Sequence, residues 1–99
     1  MKLSNLHKGQ PIYVVVIKED NTHKVFICNI SDCGACGNSQ SIFFVQFNYM
    51  DDHHKFYTVS QVTDFNVNEE IDHIKIENDN EIFYVFDKIE DATKFADTL

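Results

Sequence analysis

Ser41-Ile42-Phe43-Phe44-Val45-Gln46-Phe47-Asn48-Tyr49-Met50 carries the clearest structural signal in the chain. Phe43, Val45, Phe47 and Tyr49 are large and apolar, whereas Gln46 and Asn48 between them are polar. Alternation of period two marks a strand with one face in a core. Aromatic and β-branched side chains suit that half-buried pleated surface. The pattern predicts a central strand over residues 42–49, entered from a loop over residues 31–40.

Upstream of that loop, residues 23–30 alternate again, with Phe26, Cys28 and Ile30 on one face and Val25, Ile27 and Asn29 on the other. Glu19-Asp20-Asn21-Thr22 is a polar turn cluster. Before it, residues 10–18 (QPIYVVVIK) form a near-continuous apolar run behind a proline that suits only a strand's start. Such a strand is covered on both faces or bends around a small barrel. Residues 3–9 fit a short helical turn or lead-in coil ending at Gly9.

Downstream, Asp51-Asp52-His53-His54 is a second polar turn and residues 55–62 a fourth strand, running on toward Val67. After a break at 68–70, residues 73–77 and 81–86 form a hairpin across Asn78-Asp79-Asn80, residue types that tolerate left-handed backbone. The chain ends in a helix. Asp87-Lys88-Ile89-Glu90 matches a capping box with Asp87 as N-cap. Ile89, Ala92, Phe95, Ala96 and Leu99 form one apolar stripe. Too short to be stable alone, this helix is expected to dock on the sheet through Phe95 and Leu99.

The reading is a single domain over residues 1–99, α+β but mainly β. About six short antiparallel strands form a strongly bent sheet or SH3-like barrel, with one C-terminal helix packed on it. Hydrophobic residues at 43% and nine phenylalanines exclude disorder. The first eight residues contain no signal-peptide apolar region, and the longest apolar run, 12–17, is too short to cross a bilayer. The expectation is a soluble cytoplasmic protein without membrane association.

Charge is lopsided. The net charge is −8 and there is no arginine. Up to Met50, four lysines oppose three carboxylates; from Asp51 onward, four lysines oppose thirteen. That surface repels phosphates and lacks the guanidinium that reads bases, so direct nucleic acid binding is not expected. A protein partner with a basic surface fits better, beside the plainer reading of a solvated acidic face.

The opening Leu3-x-x-Leu6-x-x-Gly9-x-x-Ile12-Tyr13-Val14-Val15, and the closing Phe83-Tyr84-Val85-Phe86 before Glu90-Asp91-Ala92, carry a resemblance. They are similar to small SH3-like (KOW-type) barrel proteins, including uncharacterised bacterial and phage-encoded ones. The resemblance covers both ends of the chain and brings no catalytic residue with it.

Cys33-Gly34-Ala35-Cys36-Gly37 has the spacing of a zinc knuckle. A structural zinc domain would use Cys33 and Cys36, with Cys28, His53 and His54 as candidates for the remaining ligands. Adjacent histidines on a strand point opposite ways, however, and Cys28 shares its face with Phe26 and Ile30. The preferred reading is a glycine-rich loop with reduced thiols and no cofactor. A thioredoxin-type site would need a helix after the first cysteine, which Gly34, Gly37, Asn38 and Ser39 oppose. No nucleophile elbow, P-loop, zinc-protease or EF-hand motif is present.

The leading functional expectation is a non-enzymatic acidic protein-binding module, of the kind that phage or mobile elements use as nucleic-acid mimics to inhibit host or defence proteins. Its candidate residues are Glu69, Glu70, Asp72, Glu77, Asp79, Glu81, Glu90 and Asp91. The alternatives are the zinc domain and an SH3-like adaptor that binds a peptide through Tyr13, Tyr49, Tyr57 and Phe56.

Overall fold

The computed structural model describes residues 1–35, 42–51, 53–64 and 67–99. Six antiparallel strands make a curled half-barrel sheet: β1 (Pro11–Lys18), β2 (His23–Ala35), β3 (Phe43–Met50), β4 (Phe56–Thr63), β5 (Ile74–Glu77) and β6 (Glu81–Phe86). A helix, α1 (Ile89–Ala96), packs on it. The spatial order is β4-β3-β2-β1-β6-β5. The expected central strand, β3, therefore lies second from an edge, and β2 and β1 hold the centre. Alternation reports that one face is buried; it carries no information about neighbours.

β2 runs five residues beyond the expected end at Ile30. Its first part pairs with β1, from Ile17↔His23 to Pro11↔Asn29. Its second part pairs with β3, from Ile30↔Phe47 to Ala35↔Phe43, with a register shift between Ile30 and Asp32. An extra residue on one strand bends it and increases local twist, and here it turns the sheet. Cys33 and Gly34 accordingly sit in a strand and not in the expected loop. Residues 36–41, with Cys36, lie outside the described residues.

Both faces of β1 are covered. Ile12, Val14 and Val16 face the concave side with Cys28, Ile30, Val45, Phe47, Ile74, Ile76, Phe83 and Val85. Leu3 and Leu6 close that core beside a 3₁₀ turn over Leu3–Asn5, where the Ser4 amide donates to the Val67 carbonyl at 2.9 Å. Val67 lies in a turn, so β4 stops at Thr63 and does not run on to it. On the convex side Val15 packs with Phe86, Ala92 and Ala96, joined by Tyr13, Tyr84 and Phe95. Two alanines facing the sheet let the helix backbone approach closely.

The helix start departs from expectation. Lys88 occupies the N-cap position and no side chain caps the helix. Asp87 lies one residue too early to cap it. Because the helix ends at Ala96, Leu99 falls past the packed stripe and is 52% exposed. Phe95 docks without it, its ring 4.5 Å from Tyr84 and 5.5 Å from Phe86. No helix is long and apolar enough to cross a membrane among the described residues.

Candidate functional site

In this topology the β1–β2, β3–β4 and β5–β6 turns share one end of the half-barrel. Each is built by its own polar residues. Asn21 takes φ 67° and Asp20 accepts from the Thr22 amide and hydroxyl, at 3.0 and 2.6 Å. In the second turn His54 takes φ 62°, while one Asp51 oxygen accepts from the His53 and Lys55 amides, both at 2.9 Å. In the third the Asn78 amide donates to the Glu81 carbonyl at 2.9 Å. Turn chemistry thus gathers carboxylates at this end.

Between the turns opens a cleft of ≈ 210 Å³ lined by Lys18, Glu19, Tyr49, Asp51, Tyr57, Asn80 and Glu81. A neighbouring depression of ≈ 390 Å³ adds Glu77 and Asp79 and shares Lys18, Glu19, Asn80 and Glu81. Five carboxylates therefore meet one lysine around the two openings among the described residues. Tyr49 forms the floor: its ring stacks on Tyr57 at 5.3 Å and meets Phe83 edge-on at 5.5 Å. Its hydroxyl donates to both Glu81 oxygens at 3.1 Å. This bond reaches from β3 to β6 across the concave face.

The electrostatics are coupled. Burial, then the Glu81 charge and hydrogen bond, push the Tyr49 phenol well above its ordinary value. Burial, with Asp51 and Glu81, raises Tyr57 as well. The Asp51 carboxyl is lowered, first by the Lys55 amide and then by the His53 amide and the Tyr57 hydroxyl. At neutral pH the cleft holds an ionised Asp51 against neutral phenols that act as donors.

The structure divides the eight expected acidic residues. Glu77, Asp79 and Glu81 lie at the three-turn end. Glu69, Glu70 and Asp72 precede β5, and Glu90 and Asp91 follow β6, so these five lie at the other end, roughly 20 Å away along six strand residues. Three of the eight are already engaged. The N-terminal ammonium donates to Glu70 at 2.6 Å, which lowers the Glu70 carboxyl; Lys75 pairs with Glu77 at 3.0 Å; Tyr49 binds Glu81. A larger depression at that far end, ≈ 640 Å³, is lined by Met1, Lys2, Lys88 and Lys94 as well as Glu70, Asp72, Asp87 and Asp91. Its cations balance its carboxylates, so the charged site is the smaller one.

Cys36 lies outside the described residues, and the four other expected metal ligands, Cys28, Cys33, His53 and His54, do not converge on one point. Cys33 pairs with Val45, while His53 and His54 follow Met50 in the next turn, roughly 17 Å further along β3. Cys28 and Cys33 both pack against the apolar core, and burial pushes the Cys28 thiol up to about 11 and raises Cys33 too. Such thiols resist the deprotonation that ligation requires. No group of three or more His, Cys, Asp or Glu suited to a metal occurs among the described residues. Of the adaptor's aromatics, Tyr13 is set apart on the convex face beneath the helix, whereas Tyr49 and Tyr57 line the cleft. Phe56, 77% exposed, lines a separate depression of ≈ 350 Å³ that also reaches Tyr49.

Glu19, Asp51, Tyr49 and Tyr57 belong to the acidic site but were not among the acidic candidates. A signal was available: in an antiparallel meander, alternate turns share an end. No family model, curated protein or solved structure matches the chain.

Proposed function

We propose that this chain is a non-enzymatic protein-binding module that receives a basic segment of its partner at the three-turn end. The observation that carries the reading is the Tyr49–Tyr57 cleft ringed by Glu19, Asp51, Glu77, Asp79 and Glu81 with Lys18 as the one lining cation among the described residues. Its ≈ 210 Å³ is smaller than pockets for drug-sized ligands, roughly 300–1,000 Å³, and suits one long side chain. A lysine or arginine entering it meets carboxylates held in place by phenols and amides, and the exposed Tyr57 ring adds a cation–π surface. The surrounding charge steers encounter and makes it salt-sensitive. A nucleic-acid-handling protein offers such a basic surface, and a module covering it would act as an inhibitor.

A lysine-rich peptide, titrated at low and high salt by fluorescence anisotropy, tests the reading. Asp51→Asn with Glu81→Gln should weaken binding about tenfold, roughly 1.4 kcal/mol of binding free energy. Glu90→Gln with Asp91→Asn, at the far end, should leave it unchanged. Equal losses from both pairs would mean that net charge alone attracts the peptide.

A further inference from the structure

On the convex face α1 covers β1 and β6, where Tyr13, Val15, Tyr84 and Phe86 pack with its alanines and Phe95. The same face stays open further along the sheet. Ile27 of β2 opposes Tyr13, so it shares that side, and it is 68% exposed. Met50 and Phe56, opposed in the β3–β4 ladder, are 42% and 77% exposed. The sheet is also parted here. Among the described residues the β2–β3 ladder stops at Ile30↔Phe47, although β2 starts back at His23 and β3 runs on to Met50. A depression of ≈ 350 Å³ opens between the two strands, with Phe26, Ile27, Tyr49, Met50 and Phe56 in its lining and no charged side chain among the described residues there. Tyr49 is the partition between this depression and the acidic cleft: its ring packs on Phe26 at 5.6 Å, and its hydroxyl binds Glu81. Phe56 and Tyr57 are consecutive in β4 and point opposite ways, one lining the depression and the other the cleft.

We infer, on the cleft's role proposed above, that the partner's basic segment carries a large apolar side chain that seats in this depression, about three residues from the lysine or arginine in the cleft. Charge selects the occupant. Five carboxylates around one lysine, among the described residues, favour a basic segment at the cleft. Size then asks for more than one contact. A single side chain in ≈ 210 Å³ does not supply a specific interface, which buries about 1,200–2,000 Å² around apolar anchors. Residues flanking the basic one meet Met50 and Phe56 next, because these adjoin Asp51 and Tyr57 in the chain. With β2 and β3 unpaired at this end, the segment passes between the β1–β2 and β3–β4 turns. A sheet with its side chains is roughly 10 Å thick, a span that about three extended residues cover.

Fluorescence anisotropy on a peptide series tests the inference: a lysine pair in a glycine–serine background, with a single leucine moved stepwise along either side. Leucine about three residues from the lysines should tighten binding about tenfold. The factor should be the same at low and high salt, since salt screens charge and not apolar burial. Ile27→Ser with Phe56→Ser should abolish that gain and leave the leucine-free peptide's affinity as it was; both side chains are exposed, so the variant stays folded. A gain absent at every position, or kept by the Ile27→Ser, Phe56→Ser protein, overturns the inference while the cleft's role stands. A leucine-free peptide indifferent to Asp51→Asn with Glu81→Gln overturns both.

Discussion

Phe95→Ala separates the two cores most cleanly. A fully buried phenylalanine costs about 3–5 kcal/mol on truncation, but Phe95 is half-buried at the end of α1, where solvent can fill the vacated space. About half of that transfer and cavity cost applies. Loss of its ring contacts with Tyr84, Phe86 and His73, at 4.5, 5.5 and 5.6 Å, adds a fraction of a kcal/mol for each. The expected total is about 2–3 kcal/mol, a large part of the roughly 5–15 kcal/mol that holds a domain folded. For a chain of this size that lowers the melting temperature by roughly 10–20 °C. Leu99→Ala, at a side chain already 52% exposed, should cost no more than about 0.5 kcal/mol. Phe83→Ala, in the concave core at 1% exposure, should cost the full 3–5 kcal/mol, approximately, and leave little folded protein. Thermal melts followed by far- and near-ultraviolet circular dichroism measure all three. Phe95→Ala melting within about 2 °C of wild type, or Leu99→Ala costing as much, would refute the packing described for the convex face.

Three further outcomes are expected. Tyr49→Phe removes the donor to Glu81, which can regain water, so stability should fall by about 1 kcal/mol in a urea melt. The raised Tyr49 pKa contributes stability that is complete below the ordinary phenol range, near 10, and is lost as pH rises toward the folded-state value; the variant should lose less stability than wild type on titration above pH 10, and a parallel decline would oppose this. Gly9 sits at φ +86° with its amide bonded to the Ile30 carbonyl at 2.8 Å and open space where a methyl group would project, so Gly9→Ala should cost only the backbone strain, about 1–2 kcal/mol, and an unchanged melt would contradict it. A chelator should leave the melting curve unmoved, and Cys28 should resist thiol labelling until the protein unfolds, as mass spectrometry of labelled peptides would report; a large drop with chelator or rapid native labelling of Cys28 would revive the zinc reading.

The strands were legible because their pattern is local. Phe43, Val45, Phe47 and Tyr49 alternate as a half-buried strand must, and polar turn residues bracket each hairpin. Neighbour order was not, since a buried face says nothing about which strand lies beside it. Cys33-Gly34-Ala35 reads as loop by composition and becomes strand by pairing with Phe43–Val45, a tertiary gain that propensity does not contain. Asp87 has the chemistry of an N-cap, but the extended backbone persists through Lys88 and moves the start onward. The acidic residues were visible as a composition, whereas their division between two ends is a product of the topology. Tyr49 looked like core from its parity, and it is core; its hydroxyl gains its role only when β6 brings Glu81 opposite.

β6 is inserted between β1 and β5, so the earliest of these six strands in the chain receives one of its two neighbours from the latest of the six. Tyr13–Lys18 pair with Glu81–Phe86, a closure over roughly seventy residues whose entropy must be met before its contacts form. The β1–β2 and β3–β4 hairpins involve short loops and can assemble earlier, which places this protein among the slower-folding, high-contact-order domains. Until β6 and α1 arrive, β1 is an apolar edge strand with both Val15 and Val16 uncovered. The hazard of misassociation is therefore greatest during synthesis and falls only when the C-terminal strand and helix dock, making those last residues the step that commits the chain to its fold.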